Sequence, residues 1–413
     1  MRVLVLSSVF PNPKQPTFGV FIRERVRRVA RHCEVVVAAP IPWFPLNGLV
    51  RGAQWVGIPK EERQGALRVL HPRFFCVPRY LKWLDALLYA SSLLPYLARL
   101  RREFPFDVID AHFAYPDGMA AALLGKAFAC PVVITLRGSI VRLATYRLHR
   151  PQLRWALGAA DRVISVSDSL KRVAVSLGMP PGRIRVIPNG VDPERFFPMD
   201  RAEARRGLGL PADRTILLSV GGINEGKGHD RVVALLPTLL RHRPDLLYVI
   251  VGGERPGDTA RPVLDRTIER QGLQRHVLIA GERPYEEIAR WMAAADLFCL
   301  ATRSEGWANV LLEALACGRP VVSTRVGGNP EIVSSDALGI LVSPADDEEL
   351  GRAILEALDR AWDTDAMVRH ARVHSWETAA LAVVEEFRRL VPEGTSRTEA
   401  APKASAHTIE ERR

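Results

Sequence analysis

Cysteine is scarce in this chain of 413 residues, and Cys33, Cys76, Cys130, Cys299 and Cys317 are scattered without paired spacing. That pattern excludes a disulfide framework and a cysteine-based zinc site, and it fits a reducing compartment, the cytoplasm. Long apolar runs are missing as well. The greasiest stretch, Leu84–Ala98, is interrupted by Asp85 and Pro95 and is too short to span a bilayer. The opening residues Met1-Arg2-Val3-Leu4-Val5-Leu6 read as a strand running into Ser7-Ser8, not as a cleavable leader. Acidic residues are short in the first half. Residues 1–190 hold 28 Lys/Arg against 11 Asp/Glu (net +17), whereas residues 191–413 hold 29 against 35 (net −6). A basic first half calls for an acidic partner, whether an anionic membrane surface, a lipid-linked phosphate or nucleic acid. No nucleic-acid motif accompanies the charge, so nucleic acid is set aside.

What is present is a globular composition, 47% apolar, long enough for two or three domains. Strand-like runs alternate with helical patterns, which predicts α/β architecture with parallel sheets. The first half predicts buried strands at Arg2–Ser7, Glu34–Ala39, Val108–Ala111, Val132–Leu136 and Arg162–Val166. Helices are predicted over Gly19–Arg31, Leu81–Glu103, Asp117–Phe128, Gln152–Ala160 and Ser167–Leu177, and Pro40–Gln64 reads as a loop. Composition and charge shift at Pro188-Asn189-Gly190-Val191-Asp192, where Asn-Gly signals a turn. A second strand series follows at Thr215–Val220, Leu246–Val251, His276–Ala280, Leu297–Leu300 and Pro320–Ser323. Ser375–Leu390 has the pattern of a long amphipathic helix, and the polar chain from about Pro392 to Arg413 reads as disordered.

The most informative segment runs from Ser304 to Gly328. It holds Glu305 and Glu313 with seven residues between them. Glu305-Gly306 sits in a loop after a strand, and a helix from about Ala308 to Cys317 closes at Gly318. Free N–H groups in the first turn favour an anion there. The two carboxylates lie roughly 10 Å apart along the helix, too far for a close acid/base pair. They suit two hydroxyl-rich groups on either side of a phosphate, such as a sugar and a ribose.

This segment resembles the Glu-x7-Glu motif of the family-4 retaining glycosyltransferases, and the resemblance extends over about residues 2–390. It implies an α/β GT-B fold, in which two Rossmann-like domains face one another across a cleft. An acceptor-binding domain would cover residues 1–188 and a nucleotide-sugar-binding domain 189–374. A last helix, about 375–391, would pack back on the first domain. The resemblance places Glu305 beside the donor sugar and Glu313 on the nucleotide ribose, with Gly306 and Asn309 between them in the donor site. The donor, a UDP- or GDP-sugar, would be a substrate, with no cofactor and no metal. The acceptor would be a saccharide or a lipid-linked saccharide, in exopolysaccharide or cell-surface glycan synthesis.

Val220-Gly221-Gly222-Ile223-Asn224-Glu225-Gly226-Lys227-Gly228 joins a strand to a helix and satisfies G-x4-G-K. A nucleotide-triphosphate loop needs Ser or Thr next, to ligate magnesium, and this chain has Gly228. By resemblance the segment is the donor-phosphate loop, with Lys227 neutralising the diphosphate. Many relatives carry Arg at the position of Gly222 and a basic residue at that of Gly226. The first strand–helix loop offers Gly19 for close approach to the diphosphate, or simply for the turn. His112, after the fourth strand, either orients a hydroxyl or is structural. Arg137 stands where relatives often carry histidine, and Ile140 where they carry aspartate. Arginine cannot act as a base at neutral pH, so Arg137 would steady the leaving phosphate or sit at the surface. Gly281-Glu282-Arg283-Pro284 would read the nucleobase, placing Glu282 and Arg283 in the donor site. The stretch from Arg73 to Arg102 reads either as a membrane-surface helix or as a core helix with snorkelling arginines. Three other classes stay open: a P-loop-like NTPase, a nucleotide-sugar epimerase of the same fold, and an inactive nucleotide-binding module.

Overall fold

The computed structural model describes residues 1–45, 56–77, 80–254 and 259–391. The tail expected from Pro392 lies outside the described residues. Sixteen strands among the described residues form two large sheets and one small one.

The first sheet and its small neighbour use β1 (Arg2–Leu6), β2 (Glu34–Ala38), β3 (Ile41–Trp43), β4 (Glu61–Gln64), β5 (Leu67–Leu70), β6 (Arg73–Phe75), β7 (Val108–His112), β8 (Val132–Leu136), β9 (Arg162–Ser165) and β10 (Ile184–Val186). Its order is β10-β9-β8-β7-β1-β2-β5-β4, and β3 pairs separately with β6. The second sheet uses β11 (Thr215–Val220), β12 (Leu246–Val251), β13 (Val277–Gly281), β14 (Leu297–Leu300), β15 (Val321–Thr324) and β16 (Gly339–Val342), in the order β13-β12-β11-β14-β15-β16. All neighbours in both sheets are parallel except β4 and β5. Helices cover both faces, which is why β7, β8, β12 and β14 are buried at every residue.

Each sheet reverses strand order beside its first strand. β1 lies between β2 and β7, and β11 lies between β12 and β14. Ligands of open α/β sheets bind outside the carboxyl ends of the strands at such a reversal. The segments that leave those ends are 7–19, 113–118, 221–228 and 301–308.

Several sequence expectations need correction. The segment Pro40–Gln64 carries β3 and β4 at its ends, while residues 46–55 lie outside the described residues. β4, β5 and β6 were not anticipated. Their runs are three or four residues long and carry Arg63, Arg68 and Arg73, which mask the alternation. β16 is equally short. The first helix spans Val20–Val29, and Gly19 is its left-handed cap (φ 79°), where a Cβ would meet the Val9 carbonyl oxygen at 2.7 Å. The helix expected from Asp117 starts in a π-helical turn, Ala114–Gly118, and becomes α-helical at Met119, with the Asp117 side chain tied down. It accepts from the Ser8 backbone and hydroxyl and from the Tyr89 hydroxyl.

The chain crosses between the sheets twice, and the two crossings run side by side. The Val191 amide donates to the His374 carbonyl (2.8 Å) and the Trp376 amide to the Val191 carbonyl (3.2 Å). Gly190 lies so close to Ser375 and Trp376 that a Cβ would stand 2.2 Å from their backbone. Ser375 caps the final helix, Trp376–Leu390, by accepting from the Thr378 amide. Its inner face, including Ala380, Val383, Val384 and Phe387, packs on Ile22, Val26 and Val29 of the first helix. Buried Glu386 is held by Arg162, Arg185 and Arg389 at 3.0–3.1 Å. Burying an apolar side chain such as Val383, Val384 or Phe387 contributes roughly 1.5–3 kcal/mol, so the helix is a structural part of the first sheet's core.

The helix Asp85–Glu103 packs one face on the core, as the core-helix reading expected. Tyr89, Leu93, Leu97 and Leu100 face the core, while Leu87 and Leu94 are exposed on the other side. Arg101 snorkels over Phe106 and Phe128, with centroid distances of 5.1 and 5.4 Å. No helix among the described residues is long and apolar enough to cross a membrane.

Phe387→Ala is expected to destabilise the protein by about 3–5 kcal/mol, through lost transfer energy and an unfilled cavity. Urea unfolding followed by circular dichroism would measure it, as a lower midpoint at unchanged slope.

Candidate active site

The loop after β14 is the centre of the site. Its position is set by backbones packed too tightly for any side chain. A Cβ on Gly327 would fall 1.8 Å from the Glu305 carbonyl oxygen, and one on Gly306 would fall 2.7 Å from the Gly138 amide nitrogen in the other domain. Glu305 therefore sits at the seam between the sheets. Its carboxylate accepts from the Lys227 ammonium (Oε1–Nζ 2.5 Å) and from the Thr302 hydroxyl (3.2 Å). Thr302 also donates to the Gly226 carbonyl (2.8 Å), which ties the Lys227 loop to the Glu305 loop. The helix Asn309–Ala316 has no side-chain cap; the Leu311 amide donates to the Ala308 carbonyl (3.0 Å), which leaves the Asn309 and Val310 amides to an anion.

Lys227 lies in a short 3-10 turn, Glu225–Lys227, with its stem over Gly221. Gly228 follows in the left-handed region (φ 74°), and a Cβ there would stand 2.0 Å from the Ala301 carbonyl oxygen. No serine or threonine fits at that position. The magnesium ligand of a P-loop is sterically barred, which removes the physical basis of the NTPase reading. Gly222 is different. A Cβ there would meet only Asn224 and Gly253, at 3.5 and 3.6 Å, so the position has room for a side chain.

A second group of residues is buried beneath the seam. Arg137 donates to His112 Nδ1 and to Asn189 Oδ1, both at 3.0 Å, and its guanidinium lies 4.8 Å from the Phe21 ring centroid. His112 Nε2 stands 3.3 Å from Asp110 Oδ2, which is 3.6 Å from Arg25. Burial pushes His112 down to about 4, against the pull of Asp110, so it is a neutral imidazole at neutral pH. With Arg137 donating to Nδ1, the hydrogen-bond network assigns the His112 proton to Nε2, facing Asp110. Burial also lowers Arg137, with nearby Arg25 adding to the effect. Arg137 Nε, Arg25 Nε and Asp110 Oδ1 have no partner among the described residues. Arg137 is thus an internal cation, not the surface arginine that one reading allowed, and His112 is enclosed beside it.

The remaining residues fall around these groups. Asn309 accepts from Asn189 (3.0 Å), joining the uncapped helix to the inter-sheet crossing. Glu282 Oε1 accepts from the Thr17 hydroxyl, and this contact bridges the two domains. Arg283 lies over the Trp291 ring at 5.7 Å. Gly19 is confined to the turn described above. Sequence reasoning missed Thr302, Asn189, Tyr285 and Thr17. Each is a single polar residue whose partner comes from a distant segment, and no local spacing signals it.

Comparison with known proteins agrees with this geometry. Residues 18–195 match the family described as Glycosyltransferase Family 4, and residues 200–374 match the one described as Glycosyl transferases group 1. The D-inositol 3-phosphate glycosyltransferase 2 of Catenulispora acidiphila is 34% identical over 305 residues, covering 69% of this chain and 71% of that protein. The chain belongs to glycosyltransferase family 4. The Bacillus subtilis (strain 168) protein TuaC, named as a teichuronic acid biosynthesis glycosyltransferase, is 29% identical over 86% of this chain and 88% of its own length. Among solved structures, Anabaena Alr3699/HepE in complex with UDP superposes with a TM-score of 0.72 at 21% identity, over 94% of this chain and 100% of that one. The fold of the transferase is GT-B.

Glu313 lies one face away from Glu305, buried, and accepts from the Tyr285 hydroxyl (3.1 Å). Tyr285 is itself stacked under Arg195 at 4.7 Å. Burial pushes the Glu313 carboxyl up to about 7, partly opposed by Tyr285 and Arg195. A carboxyl with a raised folded pKa contributes stability that is complete below its unfolded value, near 4.5, and is lost as pH rises through about 7. Glu313→Gln keeps the acceptor for Tyr285 and cannot ionise. The variant of the transferase is expected to melt above wild type at pH 8, with the gap closing toward pH 5. Calorimetry at several pH values would read the difference, on the order of a few kcal/mol at most. A gap of constant size would mean that Glu313 does not titrate in this range.

Proposed function

We propose that the transferase moves a hexosyl unit from a UDP-sugar to an anionic, lipid-linked saccharide at a membrane surface, with retention of anomeric configuration. The observation that carries the donor half is the Lys227–Glu305 pair beside an uncapped helix N-terminus. An ammonium and free amides suit a diphosphate, and a carboxylate beside them suits sugar hydroxyls. Glu313 would take the ribose. UDP is favoured over GDP because Anabaena structures of the same fold hold UDP and UDP-glucose.

The leaving group departs on the face that the acceptor hydroxyl attacks. The bond from the anomeric carbon to the phosphate oxygen breaks as the bond to the acceptor oxygen forms. The acceptor proton passes to the departing phosphate oxygen. Lys227, the helix amides and Arg137 would hold the developing negative charge, in place of a metal.

Support for the acceptor half is the charge and surface of the first domain. Trp43 and Phe75 are exposed on adjacent strands with ring centroids 6.5 Å apart, and the Phe75 amide reaches Ser92 on the helix whose outer face carries Leu87 and Leu94. Exposed aromatic and leucine side chains within a domain of net +17 suit an anionic bilayer. The Bacillus relative is named for teichuronic acid biosynthesis, which fits an anionic saccharide.

Glu305→Ala is expected to lower kcat by about a hundredfold or more while leaving the unfolding midpoint near wild type. Saturation-transfer NMR against UDP-, GDP- and ADP-sugars identifies the donor for that assay, and preference for a GDP-sugar would overturn the UDP assignment. For the acceptor half, vesicles containing phosphatidylglycerol should bind the protein at low salt and release it as salt is raised. Trp43→Ser together with Phe75→Ser should weaken that binding. No binding at low salt would remove the lipid-linked reading and leave the transfer reaction standing.

A further inference from the structure

We infer that Glu331 is a positioning residue that latches the two domains together and so aligns the halves of the active site. It requires only the transfer reaction, not the donor or acceptor proposed above. Glu331 belongs to the second domain, in the short helix Asn329–Ile332. Its carboxylate caps a helix of the first. Glu331 Oε2 accepts from the Asp168 amide (2.9 Å), and Oε1 accepts from the Ser169 amide (3.2 Å). These amides open the helix Asp168–Ser176, whose next amide, at Leu170, is taken by the Ser167 hydroxyl. A carboxylate at a helix N-terminus meets both unpaired donors and the positive end of the dipole. Helices are normally capped by their own flanking residues. Here two of the first three donors are served from another domain, and only while the cleft is closed.

The segment that carries Glu331 is held rigidly against the reactive loop. Asn329 is buried, and its amide donates to the Ser323 hydroxyl (3.1 Å) and the Thr324 carbonyl (3.0 Å). Gly327 touches the Glu305 carbonyl. Gly328 lies against the Gly306 carbonyl, and a Cβ on it would stand 3.1 Å from Ser167 in the first domain. Closing the Glu331 contact therefore brings Gly306 onto Gly138, the residue after Arg137. The positions of Glu305 and Arg137 come from different domains, so their relative placement depends on this seam. A misplacement of about 1 Å at a reacting centre can cost a hundredfold in rate.

Two variants remove the contact from opposite sides. Glu331→Gln loses the charge and replaces one acceptor with a donor aimed at an amide. Asp168→Pro deletes one amide at the first helical position, where proline is tolerated and where the preceding Ser167 is already extended (φ −157°, ψ 157°). Small-angle X-ray scattering on the ligand-free full chain reads the domain arrangement without any choice of substrate. The wild-type curve should fit the closed coordinates, and both variants should show a larger radius of gyration. With the donor identified by NMR, kcat should fall by about tenfold or more in each variant at unchanged donor affinity. The double variant should fall short of the sum of the single effects, since both act on the same contact. The inference is overturned if both variants scatter like wild type, if wild type itself fits only an opened arrangement, or if both lose cooperative unfolding. It is also overturned if kcat is unchanged, or if nucleotide affinity falls in step with kcat.

Discussion

Close backbone approach at the seam between the two sheets governs everything else in this molecule. Gly306 lies on Gly138, Gly327 on the Glu305 carbonyl, Gly228 on the Ala301 carbonyl and Gly190 on the second crossing of the chain. Each contact is shorter than any Cβ would permit, so each is a place where only glycine lets two segments meet. The result is that the loops leaving β8, β11, β14 and β15 share one small volume, and their few functional side chains are placed by backbone contact instead of by long, flexible reach.

The polar groups at this seam are held in two different electrostatic regimes. Lys227 and Glu305 are partly exposed and satisfy each other. Arg137, His112, Asp110 and Arg25 are enclosed, with two guanidinium groups against one carboxylate and several atoms unpartnered. Burial keeps His112 neutral, and Asp110 balances only one of the two guanidinium groups, so the cluster retains a net positive charge. A charge developing on a departing phosphate is the kind of event such a preorganised site can stabilise, because the donors need no reorganisation when it occurs. Glu313 is the opposite case, a carboxyl whose burial favours the neutral form.

Closure joins these regimes. The linker at Asn189 touches both Arg137 and Asn309, Thr17 touches Glu282, and Glu331 caps a helix across the cleft. Each of these links residues more than fifty positions apart, and the final helix adds a second physical tie by packing on the first helix. The structure is therefore one in which the site exists as a site only when the domains meet.

Local pattern alone was enough for most of the architecture. Strands such as Val132–Leu136 and Leu246–Val251 are almost wholly apolar because both faces are covered, and that leaves a near-continuous run that needs no tertiary context to read. The Glu305–Glu313 segment was legible for a similar reason, since a strand, a glycine loop and an uncapped helix follow one another within some twenty-five residues. Short strands such as β4, β5 and β16 were not legible, because each is only four residues long and Arg63 and Arg68 break the alternation in β4 and β5. Nor could the sequence tell that Gly228 is barred to any side chain while Gly222 is not, since that depends on how near Ala301 and Gly253 come. The states of His112 and Arg137 were decided by burial among Asp110, Arg25 and Asn189, and the partner of Glu331 by the closure of one domain on the other. Composition and periodicity act through neighbours along the chain. Ionisation and capping across a cleft act through neighbours in space, and only the tertiary structure supplies those.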